Sequence, residues 1–221
     1  GISPGSRWTA GTYGKSSRCC RGVAGASGTC WKHRIAYADR VDADLDAFSD
    51  WLGDWYGADE TRIGMDGYLR RGWTPYAVSL RIMHLARFCA WVRNDTGVET
   101  LAARILYRNA AFLANHVEYD VGGNHLIENG IALLLAGSLF EDAGNQWTEA
   151  GVDVLVDASD QFLADGGHFE LSPMYHAIVL VRYLTVLDLC RETDRPVPGE
   201  VRRVATEATR FLAAIAGPDG R

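Results

Sequence analysis

The stretch DGGHFELSPMYH, residues 165–176, gathers side chains that can transfer protons at a predicted helix start. Ser172 is a residue type that caps helices, and Pro173 suits the first helical position because that position needs no N–H. Tyr175 and His176 then fall in the first turn. The two glycines upstream let the backbone turn sharply and approach another surface closely. We therefore expect this turn to present its side chains at a rim.

A second stretch, VGGNHLIENG at 121–130, has the same design: two glycines, then Asn124 and His125, then a strongly apolar helix pattern. Asn124 is predicted to cap that helix, whose N-terminus carries a partial positive charge. If both helix starts lie at one end of a bundle, they surround a site with an amide, two imidazoles and a phenol. Such a site suits a carboxylate, and it favours removal of a proton from the adjacent carbon.

Other charged residues near these motifs are candidates for contacts with an anionic ligand. Glu128 and Glu170 lie close to the two helix starts, and Arg81 could meet an anion or pair with an acidic neighbour. Each residue alone also has an ordinary structural explanation, since an Asn before a helix is commonly a cap and a Gly-Gly pair is commonly a turn. The joint occurrence of both motifs is what favours a functional site.

The composition is that of a globular protein without general affinity for polyanions. The 221 residues are 48% hydrophobic and 23% charged, and 22 Lys and Arg against 28 Asp and Glu give a net charge of -6. This balance argues against nucleic acid or an anionic membrane as a partner. The longest strongly apolar run, at 131–140, is too short to cross a bilayer, which takes about 20 residues, and no signal peptide is visible.

Residues 1–33 are rich in Gly, Ser and Arg, have no sustained period, and are predicted to be irregular. Cys19, Cys20, Cys30 and His33 could in principle ligate zinc there, although the adjacent cysteine pair lacks the usual ligand spacing. Cysteine usage does not decide the redox compartment.

Residues 34–221 carry seven helical apolar patterns and no sustained strand alternation, so we predict one all-α domain. The fourth pattern, from about His125 to Phe140, is apolar nearly all round and is predicted to be the innermost helix. The fifth is predicted to extend to Leu163. Short connections imply antiparallel helix pairs, and the absence of a fixed-period repeat favours a helical barrel or irregular bundle over a solenoid.

Three segments are more specific: GWTPYAVSLRI (72–82), GGNHLIENGIALLLAGSLF (122–140) and DGGHFELSPMYHAIVLVRYLTVLDL (165–189). In order and spacing they resemble the helical domain of the heparinase II/III-like polysaccharide lyases, a group that includes alginate lyases. The resemblance runs from about residue 36 to the end. It implies an incomplete (α/α) toroid of antiparallel helix pairs. In the family an antiparallel β-sandwich follows, which 221 residues cannot contain, so we expect a chain truncated before that domain.

The resemblance also implies cleavage of uronate-containing polysaccharides by β-elimination. Asn124 would neutralise the uronate carboxylate, Tyr175 would be the general acid and in some geometries the base, and His125 would be an alternative base or a stabiliser of the carboxylate. No cofactor is expected in this chain, although the β-sandwich could carry a metal, and the implied location is periplasmic or secreted. The residues expected to bind substrate are Trp73, Tyr76, Arg81, Glu128, His168, Glu170 and His176.

Two alternatives come from other functional classes. The first is a noncatalytic helical module that binds a glycan or a protein. The second is a glycoside hydrolase on a similar helical barrel, with Asp165 and Glu170 as its carboxylate pair, although five residues across a Gly-Gly turn give no reason to expect the required separation. The reaction product distinguishes all three hypotheses.

Overall fold

The computed structural model describes residues 38–60, 72–91 and 97–217. These residues form seven α-helices and one short 3₁₀ turn, Ala158–Gln161, and the all-helical prediction is confirmed for this part of the chain. The segment predicted to be irregular, 1–33, and the candidate zinc ligands within it lie outside the described residues. The helices are α1 Ala38–Glu60, α2 Pro75–Trp91, α3 Gly97–Leu113, α4 Gly123–Leu139, α5 Glu141–Asp157, α6 Pro173–Glu192 and α7 Gly199–Ile215.

Helix α4 lies at the centre of the domain, as its apolar pattern predicts. All of its residues from Leu126 to Leu134 are buried, and it packs against α5, α2, α6 and α3. A helix that is apolar all round has to be covered on most sides, and these four neighbours cover it. Only the first turn of α4 is consistently half-buried, so this helix holds its N-terminal residues at the domain surface on a rigid support.

Four glycines bring the backbones of α4 and α5 into direct contact. Gly130 and Gly137 of α4 face Gly151 and Gly144 of α5, respectively. A Cβ on Gly137 would lie 2.7 Å from the Gly144 carbonyl oxygen, and a Cβ on Gly151 would lie 2.7 Å from the Gly130 carbonyl oxygen. No side chain fits between the helices at these positions. The four glycines recur every seven residues, and the single residue Phe140 connects the two helices. This spacing is the sequence pattern that indicates the contact.

Helix α6 contributes Val179, Tyr183 and Val186 to the core, all fully buried at helical spacing. Complete burial of an aliphatic side chain of this size stabilises a fold by roughly 1.5–3 kcal/mol. The Tyr183 hydroxyl is buried with its ring and donates a hydrogen bond to the Leu155 carbonyl at 2.9 Å, so its polar atom has a partner. This bond joins α6 to α5.

The prediction that the fifth helix extends to Leu163 is wrong. The α-helix ends at Asp157, the 3₁₀ turn follows, and Leu163 is 42% exposed in a tight loop. The Leu163 N–H donates to the Gly167 carbonyl at 2.8 Å, and a Cβ on Gly166 would lie 2.6 Å from the Glu207 carbonyl of α7. Gly166 has a φ of 87°, so the predicted sharp turn and close approach are confirmed.

Among the described residues, α6 is long and apolar enough to cross a membrane by length and composition alone. Its 20 residues have a mean hydropathy of 1.2 in the most apolar window. Core helices pass the same test, and α6 packs against α7 and α4. It also carries Arg182, whose side chain is paired with Glu128 of α4.

Candidate active site

The two glycine-bearing motifs meet at one end of the domain, which meets the condition for a shared site. A Cβ on Gly123, the first residue of α4, would lie 2.8 Å from Glu170 Oε1 in the loop that leads to α6. The start of α2 joins them, because the Tyr76 ring stacks on the His125 ring with centroids 4.3 Å apart and an angle of 21°. The N-termini of three helices therefore surround one surface.

The prediction that Asn124 caps α4 is wrong. The helix already begins at Gly123, Gly122 occupies the cap position, and no side chain makes a cap hydrogen bond. Both glycines have positive φ, 64° and 56°, which turns the chain into the helix before Asn124 is reached. The Asn124 amide is therefore half-buried in the first turn and is not consumed by capping, so it can serve a ligand.

His125 lies beside Asn124 with its side chain 36% exposed. Its Nδ1 is 3.4 Å from a carboxylate oxygen of Glu118, in the loop before α4, and the ring is stacked on Tyr76. The sequence patterns do not predict a role for Glu118. The only signal for it there is its position seven residues before His125, on the other side of the turn.

The start of α6 forms as predicted, with Pro173 as the first residue and Ser172 as the cap. The Ser172 Oγ accepts a hydrogen bond from the Tyr175 N–H at 3.4 Å. Tyr175 is 36% exposed and Met174 is 61% exposed, so this turn does present its phenol at a rim.

The rim prediction is wrong for His176, which is 1% exposed. Its Nδ1 accepts a hydrogen bond from the His168 N–H at 3.2 Å, and its Nε2 donates to the Ala208 carbonyl of α7 at 2.9 Å. The first turn of a helix has an inward side as well as an outward one, and His176 lies on the inward side. Its imidazole connects the loop before α6 to α7 through these two hydrogen bonds. The substrate contact predicted for His176 is therefore corrected to a structural role.

His168 is likewise internal, at 2% exposure, and contacts Gln161 Oε1 through Nε2 at 3.1 Å. Its ring packs edge-on against Phe162 with centroids 5.4 Å apart. Burial lowers the pKa of His168, which keeps the ring neutral near physiological pH. The substrate contact predicted for His168 is corrected in the same way.

Trp73, which is buried, and Arg81, which is half-buried, also support the fold. Trp73 is 1% exposed and packs edge-on against Phe112. Arg81 donates to Asn109 Oδ1 at 2.7 Å and to the Gly72 carbonyl at 2.6 Å, and its guanidinium lies over the Trp73 ring. The substrate contact predicted for Trp73 is corrected to a structural role because Trp73 is buried, whereas the contact predicted for half-buried Arg81 stays a prediction.

Glu128 is the last of the internal residues, at 1% exposure. The Arg182 Nε lies 2.8 Å from both of its carboxylate oxygens. Burial raises the pKa of Glu128, while Arg182 acts to lower it. The predicted substrate contact is therefore corrected to a buried ion pair between α4 and α6.

Besides Arg81, which is half-buried and already hydrogen-bonded, five of the predicted site residues remain accessible at this end of the domain, and the described residues contain no group of three potential metal ligands. Asp165, one of the two carboxylates in the hydrolase hypothesis, accepts the Gly167 N–H at 2.9 Å within its own turn. The arrangement thus offers an amide, an imidazole and a phenol close to the helix N-termini. The accessible residues are Tyr76, Asn124, His125, Glu170 and Tyr175.

Residues 47–219 match the family described as Heparinase II/III N-terminus. The chain belongs to the heparinase II/III family. The matched region spans most of the sequence and contains all ten residues predicted to be catalytic or substrate-binding, together with the three segments on which the resemblance was based.

Two curated relatives of this heparinase II/III chain are heparin-sulfate lyases. The protein from Pedobacter heparinus is 26% identical over 201 residues, which cover 86% of this chain and 30% of the relative. The protein from Bacteroides thetaiotaomicron is 28% identical over 124 residues, which cover 53% of this chain and 18% of the relative. The chain therefore spans less than a third of the length of these relatives.

A solved structure, the crystal structure of heparinase III, has the same fold as this heparinase II/III chain. The TM-score is 0.66 at 22% identity, and the match covers 82% of this chain and 29% of that chain. The N-terminal domain of that structure is an α-helical toroid, so the predicted fold class is confirmed.

Proposed function

We propose that the chain supplies the helical part of the active site of a polysaccharide lyase that cleaves uronate-containing acidic polysaccharides by β-elimination. Membership of the heparinase II/III family supports this class of enzyme. The two heparin-sulfate lyases among the relatives favour a glycosaminoglycan as the substrate over alginate and other uronates. The proposed location is periplasmic or secreted, as the family resemblance implies.

One observation supports this proposal more than any other. Asn124 and His125 occupy the first turn of α4, Tyr175 occupies the first turn of α6, and the two helix starts lie side by side at one end of the domain. Amide N–H groups at helix N-termini favour an anion, and the Asn124 side chain adds a further donor. A uronate carboxylate bound there would lie near both an imidazole and a phenol.

In the proposed reaction a base removes the C5 proton beside the uronate carboxylate. The C4=C5 double bond forms as the C4–O bond breaks, and the leaving oxygen takes up a proton, so no water is consumed. Asn124 would hydrogen-bond the carboxylate as negative charge develops on it, an interaction that is strongest in the transition state. Tyr175 would protonate the leaving oxygen, and either Tyr175 or His125 would remove the C5 proton.

The proposal is tested by following near-ultraviolet absorbance, which reports the 4,5-unsaturated uronate product. The substrates are heparan sulfate, heparin, hyaluronan and alginate. The proteins are the 221-residue chain and, if the gene encodes a longer protein, its full-length product. A rise in absorbance with any of these polymers supports the proposal and selects the substrate.

New reducing ends without absorbance would instead identify a hydrolase, and binding without cleavage would identify a glycan-binding module. In a protein that shows elimination, Tyr175→Phe should abolish the rise while leaving the fold and polymer binding unchanged. Full activity of that variant would contradict the role assigned to Tyr175.

A further inference from the structure

A carboxylate is directed at one of the two ring nitrogens of the partly exposed His125. Glu118 Oε1 and Oε2 each lie 3.4 Å from His125 Nδ1. The Glu118 side chain is only 13% exposed, whereas that of His125 is 36% exposed. Among the described residues, Nε2 of His125 has no hydrogen-bond partner. The carboxylate can only accept, so the imidazole has to donate from Nδ1.

Glu118 is itself held by a fully buried amide on α4. Asn129 is 0% exposed, its Oδ1 accepts the Glu118 backbone N–H at 2.8 Å, and its Nδ2 lies 3.4 Å from Glu118 Oε2. The same Nδ2 donates to Ser79 Oγ of α2 at 2.9 Å, and the Ser79 hydroxyl donates to the Pro75 carbonyl at 2.9 Å. Every polar side-chain group in this series of hydrogen bonds has a partner, so the series supports Glu118 rigidly.

The backbone of Glu118 also fixes the turn that leads to α4. Its carbonyl accepts the Gly122 N–H at 3.0 Å, and Gly122 and Gly123 follow with positive φ. One residue therefore sets both the path of the chain into the first turn of α4 and the contact made by the His125 ring. The stacked Tyr76 ring restricts the plane of that imidazole from the other side.

We infer that Glu118 is a positioning residue that holds neutral His125 in the Nδ1–H tautomer, so that the lone pair lies on Nε2, where it can accept a proton. Asn129 is the residue that holds Glu118 in place. A carboxylate on one imidazole nitrogen selects the tautomer and orientation of the ring in many acid/base sites. The relevance of this tautomer to catalysis rests on the proposed function, whereas the tautomer itself is a property of this chain alone.

The test is imidazole nitrogen NMR of the protein labelled with ¹⁵N-histidine, at mildly alkaline pH where imidazole is neutral. We expect the wild-type His125 signals, identified by their loss in His125→Gln, to show the Nδ1–H tautomer. In Glu118→Leu the ring should change to the Nε2–H tautomer, which an unconstrained neutral histidine prefers. Glu118→Gln keeps an acceptor oxygen and should retain the Nδ1–H tautomer.

Two other histidines provide internal controls in the same spectra. His116 contacts the Phe112 carbonyl through Nδ1 at 2.8 Å and should stay Nδ1–H in every variant. His176 accepts through Nδ1 and contacts the Ala208 carbonyl through Nε2, so it should stay Nε2–H. If these two signals keep their tautomers, the variant is folded and the change at His125 is local.

The inference is overturned if wild-type His125 is Nε2–H, or if it stays Nδ1–H in Glu118→Leu. If the protein proves to be a lyase, Glu118→Leu should also lower kcat by about 10- to 100-fold with little change in KM, and Glu118→Gln should recover part of the loss. An unchanged kcat beside a changed tautomer would overturn the positioning role. Failure to find a lyase reaction leaves the NMR outcome decisive, so the two failures are distinguishable.

Discussion

The Nε atom of Arg182 on α6 lies 2.8 Å from both carboxylate oxygens of Glu128 on α4, which joins the two helices whose first turns carry the candidate catalytic residues. The Glu128 side chain is 2% exposed and that of Arg182 is 19% exposed. Removal of either partner leaves the other without its counter-charge in a poorly hydrated place. The pair therefore links the two helices that carry the two sides of the candidate site.

Arg182→Met should destabilise the protein by about 3–5 kcal/mol, because the buried Glu128 carboxylate loses its cation. The double variant Glu128→Leu with Arg182→Met should recover much of that loss, since it buries no charge. Denaturant unfolding of Arg182→Met, Glu128→Leu and the double variant measures the coupling free energy between the two residues. The control is Arg203→Ala in the exposed Arg203–Glu207 pair, where about 1 kcal/mol or less is expected. Additive losses in the double variant would contradict the interpretation.

The glycine contact between α4 and α5 gives a second prediction. In Gly137→Ala the new Cβ would lie 2.7 Å from the Gly144 carbonyl oxygen and 2.7 Å from the Thr148 nitrogen, so the helices have to separate. Overpacking of this kind destabilises by about 1–3 kcal/mol. Gly57→Ala in α1 is the matched control, because its Cβ meets nothing within 4 Å, and it should stabilise by about 0.5–1 kcal/mol. Equal thermal unfolding midpoints for the two variants would rule out a tight contact.

The buried His168 predicts a pH dependence of stability. Burial lowers its pKa below the ordinary value of 6.5, and His176 adds to the shift while Glu170 opposes it. The unfolded chain then binds the proton more readily than the folded one, so stability is fully present above pH 6.5 and is lost as the pH falls below it. His168→Gln removes this titration. It should reduce the slope of unfolding free energy against pH by up to about 1.4 kcal/mol per pH unit.

The slope is measured by denaturant unfolding at a series of pH values on both sides of the ordinary histidine pKa. Other titrating groups contribute equally to wild type and variant, so the difference between the two slopes isolates His168. Parallel pH profiles would show that its protonation is not coupled to folding.

Asn124→Ala should lower kcat by about 10²- to 10³-fold in a protein that shows elimination, with a smaller effect on KM, because the amide acts most on the charge that develops in the transition state. Asn115→Ala is the control, since Asn115 is exposed and its side chain contacts only the Ala111 carbonyl of its own turn. Steady-state rates of uronate absorbance compare the two variants. A rise in KM without a fall in kcat would mean that Asn124 only binds the substrate.

The features that could be predicted from the sequence are those determined by neighbouring residues. The helical periods, the Ser172 cap and the exposure of Tyr175 follow from local rules, and the structure agrees with them. The start of α4 was misplaced because residue types do not reveal that Gly122 and Gly123 adopt positive φ. Local rules therefore located both motifs but not the backbone geometry within them.

The remaining errors concern side chains whose surroundings come from distant parts of the chain. His176 is buried because Ala208, on α7, supplies the acceptor for its ring, and Glu128 is buried because Arg182 reaches it from α6. Neither partner is near in sequence, so a titratable residue close to a helix start looks equally suited to a ligand. Glu118 was missed for the same reason, since its contacts require the turn before α4 to be in place.

The single-residue connection at Phe140 has a consequence for the order of folding. Closing a short loop carries a small entropic cost, and the α4–α5 contacts join residues that are near in sequence. The two helices and their facing glycines should therefore associate early, before α2 and α6 are added. Substitutions at those glycines should then slow refolding more than they accelerate unfolding, whereas substitutions at the Glu128–Arg182 pair should mainly accelerate unfolding. Asn124 and His125, in the first turn of α4, would thus belong to the helix pair that folds first.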